Sequence, residues 1–480
     1  MPADRDGTAD GDGTADRDQG AEGDGVTDLR APQRIHIVGI GGAGMSAIAL
    51  VLRAMGHTVS GSDLKESPVA ARLRSHGITV AVGHRPENVG TVDAVTYSPA
   101  VPPTNNEIAA AAAAGARVVP RSGVLAAICA TRRCVAVAGT KGKTTTASML
   151  SLILIEAGLR PSFVIGADVN EVGTNAVWDT GEWLVVEADE SFGTFQALRP
   201  DWAVLTNVEP DHLDYYGTFA RLRIAFDDFV AHASEGSVVS ADDVEAEGIG
   251  REHGSRTVGT VDDAMFTLRD VALSRSSVSF SLHGPDGELG ALVVGVPGLH
   301  NARNAALAVV AALSLGVPFS AAAAALARFA GVTRRFEFRG EVHGVTFVDD
   351  YAHLPFAVRA ALATARTGGW SRVIAVFQPH RYSRTLELAE QFGSAFADAD
   401  ALVVTDVYGA GESPVPGVSG QLVADAVRAQ DQRLPVVYAP GWRELREAVG
   451  SLLRPGDLCL TLGAGDLTAL PDELLESPRW

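Results

Sequence analysis

The chain alternates repeatedly between a short apolar run and a stretch with helical spacing, and small or polar residues mark each junction. Apolar runs of this length between turn signals predict strands buried on both faces, with helices covering them. Arg34–Ile40, His57–Ser60, Val92–Tyr97 and Val118–Pro120 form a first set of strands. Val135–Ala138, Trp183–Glu187 and Ala203–Asn207 form a second, and Val345–Val348, Arg372–Phe377, Ala401–Thr405 and Leu458–Leu462 a third. Strands alternating with helices build parallel sheets, so the fold class is α/β. Three sets in 480 residues give a Rossmann-like unit at 31–124, a central phosphate-loop unit at 125–332 and a C-terminal doubly wound unit at 333–480. Residues 237–296 break the rhythm: TVGT, VSFSLHG and ALVVGVP alternate around turn residues and predict a β-rich insert. Ala305–Ala327 is uncharged and long enough to span a membrane, but Gly316 ends a helix there, Pro318 bars its continuation and Ser320 can cap the next. Two short core helices are expected, with no membrane insertion.

Two junctions carry glycine turns. Arg34–Ile40 runs into Gly39-Ile40-Gly41-Gly42-Ala43-Gly44, a GxGxxG that opens an apolar helix over Met45–Met55. Ser62 and Asp63 follow the next strand, about 20 residues on, where an acid meets a ribose hydroxyl in dinucleotide folds. The glycines suit a pyrophosphate but do not choose between a dinucleotide and a nucleotide sugar, so on this motif alone an NAD-dependent oxidoreductase stays open. Val135–Ala138 runs into Gly139-Thr140-Lys141-Gly142-Lys143-Thr144-Thr145, and a helix follows over Ala147–Glu156. Here glycines let backbone N–H groups close on an anion, Lys143 reaches the terminal phosphates, and the Thr144 hydroxyl suits Mg2+. The spacing is unusual, because Val137 stands where GxxxxGK[ST] has its first glycine.

The strand ends hold the remaining chemistry. Trp183–Glu187 delivers Glu187, Asp189 and Glu190; Ala203–Asn207 delivers Asn207, Glu209, Asp211 and His212. An acid at a strand end beside a phosphate loop is the usual second anchor for Mg2+, whereas His212 fits a capping or core role as readily as a ligand role. His300, Asn301 and Asn304 cluster at the first turn of another helix and can bond a base or phosphate, or cap the helix. Arg334 and Arg335 lie in the hinge before the third unit. Its strand ends carry Asp349-Asp350-Tyr351-Ala352-His353 and His380-Arg381-Tyr382-Ser383-Arg384. Two arginines so close can grip a carboxylate or phosphate, or form a salt-bridged face.

Composition narrows the classes. A net charge of −19 argues against a nucleic-acid partner. Cys129, Cys134 and Cys459 make neither a disulfide framework nor a metal-ligand spacing, and no basic, apolar leader opens the chain, so a cytoplasmic setting is expected. Residues 1–30, with nine acids against three arginines, read as a disordered acidic tail. Only three lysines occur against thirty-six arginines, yet Lys141 and Lys143 both lie in the phosphate loop. No Ser-His-Asp set or cysteine dyad is in sight. An ATP loop between two substrate-binding units points to activation of a carboxylate as an acyl phosphate, followed by attack of an amine.

In these blocks the chain resembles the Mur ligase family from about Arg34 to Leu470, and most of all its alanine-adding branch. The marks are HIVGIGGAGMSAIA with GSD, GTKGKTTT, EADES, LTNVEPDHLD, PGLHNARNA, FAGVTRRFE, VDDYAHLP, FQPHRYSRT, DVYGAGESPVPGVS and LGAGD. The resemblance implies an ATP- and Mg2+-dependent ligase joining L-alanine to the carboxylate of UDP-N-acetylmuramate, in the synthesis of peptidoglycan precursors for the cell wall. It places ATP on Gly139 to Thr145, with Lys143 on the β/γ-phosphates, and on His300, Asn301, Asn304, Arg335 and Asp350. It puts Mg2+ on Thr144, Glu187 and His212. It assigns the UDP portion to Gly39, Gly41, Gly42, Gly44, Ser62 and Asp63, and the acyl and amino-acid substrates to His353, His380, Arg381 and Arg384. Sibling ligases carry a carbamylated lysine after the DHLD block, and no lysine stands between Asn207 and Val230.

The chain also departs from the family pattern. Lys141 replaces His or Asn, Phe192 replaces an acid, Leu299 stands in PGLHN for PGRHN, and Leu354 and Phe356 alter the GHHPTE block. The ATP set is kept while neighbours in the acceptor pocket change. That leaves room for a paralogue with a different amino acid or acyl substrate, or for a non-catalytic UDP-sugar binder.

Overall fold

A computed structural model describes residues 28–477. Most of the acidic tail expected at 1–30 lies outside the described residues.

Three sheets follow one another along the chain. The first is wholly parallel, with Arg34–Val38 at its centre. Thr58–Asp63 and Thr79–Val82 lie on one side of it, Ala94–Tyr97 and Arg117–Pro120 on the other. Strand order reverses at Arg34–Val38, so a crevice opens beyond its carboxyl end, where Gly39 begins the first glycine turn. The helix Ala43–Ala54 buries Met45, Ile48, Val51 and Leu52 against this sheet.

The second sheet has ten strands, ordered Gly287–Val294, Val278–Gly284, Phe266–Leu273, Arg256–Gly259, Gly236–Ser240, Trp202–Leu205, Arg133–Ala138, Trp183–Glu187, Ser162–Val169, Thr174–Val177. The expected β-rich insert is not separate. Gly236–Ser240 pairs parallel with Trp202–Leu205, the helix Val244–Glu252 follows, and three antiparallel strands continue the same sheet. Their alternation reflects one face packed on the core and one in water. The helices Leu299–Ser314 and Phe319–Ala327 are core elements as expected, but Pro318, not Ser320, occupies the N-cap, without a side-chain bond. Among the described residues no helix is long and apolar enough to cross a membrane.

The third sheet runs Glu337–Val342, Val345–Asp350, Asp457–Leu462, Arg372–Phe377, Ala401–Val404, Val436–Tyr438, parallel except for its first strand. A boundary at 124/125 falls inside the helix Arg121–Cys129. That helix's Leu125 and Ile128 belong to a core shared by Ile35 and Ile37 of the first sheet and Ala136 and Leu205 of the second. The first two units are thus joined through apolar packing, not only through a linker.

Candidate active site

Arg133–Ala138 lies at the reversal point of the second sheet, between Trp183–Glu187 and Trp202–Leu205. Everything at the carboxyl ends of these three strands converges. The loop leaving Ala138 uses positive φ at Gly139 (130°) and Gly142 (85°). A Cβ on Gly139 would stand 2.0 Å from Thr206 Oγ1, and one on Gly142 2.5 Å from Asn304 Oδ1. The glycines are therefore needed both for backbone conformation and for close approach. Asn207 fastens the loop: its Oδ1 accepts from Lys141 N at 2.9 Å, and its Nδ2 donates to Lys141 O at 2.8 Å. Thr140 N donates to Asn207 O at 3.0 Å, and Glu209 N to Thr140 Oγ1 at 2.9 Å. The helix then starts at Lys143, earlier than the expected Ala147, with Thr144 and Thr145 buried in its first turn. Its free N–H groups and dipole face the loop.

Lys143 Nζ donates to Gly139 O and to Glu190 Oε2, both at 2.6 Å. Burial works against its charge, but Glu190, Asp189 and Glu187 outweigh burial and hold its pKa above the ordinary value. Burial raises the pKa of Glu190 against the pull of Lys143, and Asp189 raises it further. Asp189 goes the other way: burial would raise it, but Lys143, Ser191 and Arg121 bring it down. Thr144 Oγ1 donates to Glu187 Oε1 at 2.8 Å, while Glu187 Oε2 accepts from Gly166 N at 2.6 Å. His212 stands in the left-handed region (φ 51°) and offers a ring nitrogen to a cluster with Asp189 and Glu190 whose ligand atoms lie within 4.8 Å of one another. Three carboxylates around one ammonium leave net negative charge in a half-buried cleft, which suits a divalent cation. The residues fit the magnesium expected from sequence, with a redistribution. Thr144 with Glu187 could hold one ion and His212 with Asp189 and Glu190 another; sequence had offered all three acids at this strand end, and the family resemblance only Glu187.

On the far side, Asn304 is buried against Gly142, whereas Asn301 Nδ2 is spent on Pro297 O at 2.7 Å and secures its own helix start. His300, 3.5 Å from Thr364 Oγ1, is pushed down to about 4 by desolvation and by Arg303, although part of its ring meets solvent. Arg335 is exposed with its guanidinium over Tyr351, 5.2 Å from the ring centroid. Asp350 accepts from Phe336 N and Ala352 N, each at 2.8 Å, so its carboxylate first shapes the hinge; burial raises its pKa against Arg335. Arg334 instead donates to the carbonyls of Gly463 (2.6 Å) and Gly465 (3.1 Å), which anchors the LGAGD turn.

The third unit gathers His353, His380, Arg381 and Arg384 at its strand ends. The two imidazoles lie 5.3 Å apart, and His380 stacks on Tyr408 at 5.8 Å. Burial, Arg384 and His380 bring His353 down to about 3, although Tyr351 O opposes this; burial, Arg381 and Arg384 bring His380 down to about 4. The rings stay neutral at pH 7 and the arginines carry the positive charge, an arrangement that receives a carboxylate. Arg381 holds a φ of 70°, fixed by its N–H to Tyr408 O at 2.8 Å.

In the first unit Gly39 has a φ of 76° and donates to Ser62 O at 2.9 Å. Asp63 Oδ2 accepts from Gly41 N at 2.8 Å, so this acid braces the glycine turn. The Ser62 hydroxyl faces inward to Glu107, and also lies 2.8 Å from His84 Nδ1. Burial would raise Glu107, but His36, Ser62, Asn88 and the Arg85 N–H bring it down to about 2. Arg121 is the residue sequence passed over. A Cβ on Gly44 would stand 2.6 Å from its Nη2, and its Nη1 lies 3.7 Å from Asp189 Oδ2, so it bridges the first glycine turn and the acid cluster. Its only sequence signal was its place at the start of the helix that joins the two units.

The chain matches the Mur ligase family, catalytic domain, over residues 34–133, the Mur ligase middle domain over 137–312, and the Mur ligase, glutamate ligase domain over 334–465. It is 45% identical over 457 residues to a UDP-N-acetylmuramate–L-alanine ligase of Acidothermus cellulolyticus, covering 93% of this chain and 95% of that one. To the protein of that name from Pelotomaculum thermopropionicum it is 41% identical over 449 residues, 92% and 97% of the two chains. The crystal structure of the UDP-N-acetylmuramate-alanine ligase MurC of Thermotoga maritima superposes with a TM-score of 0.80 at 29% identity, over 92% of this chain and 98% of that one. A murein peptide ligase from Psychrobacter arcticus follows at 0.68 and 26%, over 92% and 98%.

Proposed function

The chain belongs to the Mur ligase family, and from that premise we propose that it is a UDP-N-acetylmuramate–L-alanine ligase, driven by ATP and serving peptidoglycan synthesis. The observation that carries this reading is the convergence of Lys143, Thr144, Glu187, Asp189, Glu190 and His212 at one loop, beside a cationic pocket with two neutral imidazoles.

In this reading ATP lies along Gly139–Thr145, with the Lys143 ammonium on the β/γ-phosphates and Asn304 at the loop's edge. Thr144 with Glu187, and His212 with Asp189 and Glu190, would hold Mg2+. When bound, the ion screens the phosphate oxygens as charge shifts to the leaving ADP. The first glycine turn and Asp63 hold the UDP portion, which aims the muramoyl carboxylate at the outermost phosphorus. That carboxyl oxygen forms a bond to phosphorus, the bond to the bridging oxygen breaks, and ADP leaves with the electron pair. The alanine carboxylate is gripped by Arg381 and Arg384 beside the neutral rings of His353 and His380, and its ammonium releases a proton to water. The amine nitrogen then attacks the acyl carbon, and phosphate departs with the second proton of the nitrogen. Arg335 stands over the transferring phosphate. Positioning and charge neutralisation supply the acceleration.

The oxidoreductase reading gives way, because one glycine turn explains a nucleotide sugar and nothing in it explains the second loop. Altered neighbours such as Phe192 and Phe356 keep a different acceptor in play as the second reading. A cytoplasmic location goes with nucleotide substrates and three buried free thiols. The deciding assay is phosphate release with ATP, Mg2+, UDP-N-acetylmuramate and a panel of amino acids. Turnover with L-alanine is expected to exceed that with glycine, L-serine and D-alanine; silence with L-alanine and turnover with another amino acid would reject the substrate assignment.

A further inference from the structure

Lys141 does not point its charge at the phosphate cradle. Its ammonium pairs with Glu209 and sits 4.1 Å from the centre of the Phe356 ring, in the first turn of the helix Pro355–Thr367 of the third unit. Both residues are departures from the family pattern, and they meet across the boundary between units. Two further contacts repeat this along the same helix. Thr364 Oγ1 lies 3.5 Å from His300 Nδ1. At the helix end, Arg275 donates to Gly368 O at 2.7 Å and to Gly369 O at 2.8 Å, with its guanidinium 5.4 Å from the Trp370 ring centroid. Phe356 in the first turn, Thr364 two turns on and Gly368 just past the end thus each meet the second unit along the length of this helix. The helix lies along the second unit from the phosphate loop to the antiparallel strands.

Of these contacts, the one at Lys141 is joined directly to the reacting end. The Lys141 backbone is stitched on both sides to Asn207, so a contact made by its side chain is rooted in the anchored loop. The helix it holds starts directly after His353 and Leu354, beside the cationic pocket. A cation over an aromatic face is attracted by the ring's quadrupole, and the attraction grows as water is excluded. Glu209 pairs with the ammonium and holds it in place.

We propose that Lys141 and Phe356 form a clasp that holds the amino-acid pocket in register with the phosphate loop. They are positioning residues for the amide-forming step, in a proposal that rests on the ligase reading. Loss of the clasp loosens the placement of the acceptor amine more than the grip on ATP.

The test is a double-mutant cycle on the full chain with Lys141→Met and Phe356→Leu, read as KM for L-alanine against KM for ATP, together with small-angle scattering of the nucleotide-free protein. Each single variant is expected to raise KM for L-alanine by about tenfold with a much smaller change for ATP, and the double variant is expected to be no worse than the poorer single. All three variants should show a larger radius of gyration than the parent, and Phe356→Tyr, which keeps the ring face, should match the parent. Multiplying effects in the double variant, or unchanged radii, would overturn the clasp. Scattering needs no turnover, which separates the two ideas. Opened variants of a parent that never releases phosphate would sink the ligase reading and leave the clasp standing. Normal turnover with unopened variants would sink only the clasp.

Discussion

The two glycine turns, Gly39–Gly44 and Gly139–Thr144, are built alike and do different work. Each leaves a strand flanked by two parallel neighbours at the reversal point of its sheet, and each opens a helix. The first is braced by Asp63, offers backbone N–H groups, and has no lysine of its own. The second carries Lys143 and Thr144 and is ringed by acids from the neighbouring strand end. In the ligase reading proposed above, the first turn holds the UDP portion and the second the ATP phosphates, and the groups at the ends of the adjacent strands make that difference. Arg121 stands between them, against Gly44 on one side and Asp189 on the other.

This contrast can be broken at either turn. The largest effect is expected from Lys143→Ala: turnover should fall by about a thousandfold or more in a phosphate-release assay, while UDP-N-acetylmuramate binding by calorimetry persists. If the sugar nucleotide were lost as well, the division of labour would be wrong. Next comes Gly142→Ala, which forces a side chain into a left-handed position and against Asn304; affinity for ATP should drop about a hundredfold, with the first turn untouched. Gly41→Ala drives a Cβ to 2.8 Å from Asp63 Oδ2. KM for UDP-N-acetylmuramate should rise about tenfold and KM for ATP hardly at all.

The gentlest test is pH. His353 and His380 fold with pKa values of about 3 and about 4, below the 6.5 of a free imidazole. The unfolded chain therefore takes up protons first, and stability is expected to fall as pH drops from about 6.5 towards about 4. Glu107 in the first unit, at about 2 against 4.5, loses its contribution only below about 4.5. Urea unfolding followed by hydrogen exchange at pH 7.5 and 5.5 should show the third unit weakening more than the first, where burial also lowers the pKa of His57. Equal weakening of both would remove this distinction.

Much of the fold was open to reading because its signals are local. A buried strand, a glycine turn and a helix are written within about 20 consecutive residues, and the backbone can follow no other course. The stretch at 237–296 was legible as strands but not in its place, because alternation reports one wet face and says nothing about which sheet the strands join. His212 was ambiguous because a histidine near a helix start reads the same as cap or ligand; it stands at the N-cap without a side-chain cap bond, and only the fold brings its ring beside Asp189 and Glu190. Arg121 was invisible because nothing near it in sequence announces Gly44 and Asp189.

Sequence by itself determined three α/β units, the two glycine turns and the polar strand ends, since each is set by chain geometry over a turn or two. Only the tertiary structure decided which groups meet. Thr144 reaches Glu187 across 43 residues, Lys143 reaches Glu190 across 47, and Lys141 reaches Glu209 across 68. Those encounters follow from the order of strands in the second sheet and from the docking of the third unit onto it. Strand order and docking are fixed by how apolar faces pack over long separations, which no local pattern records.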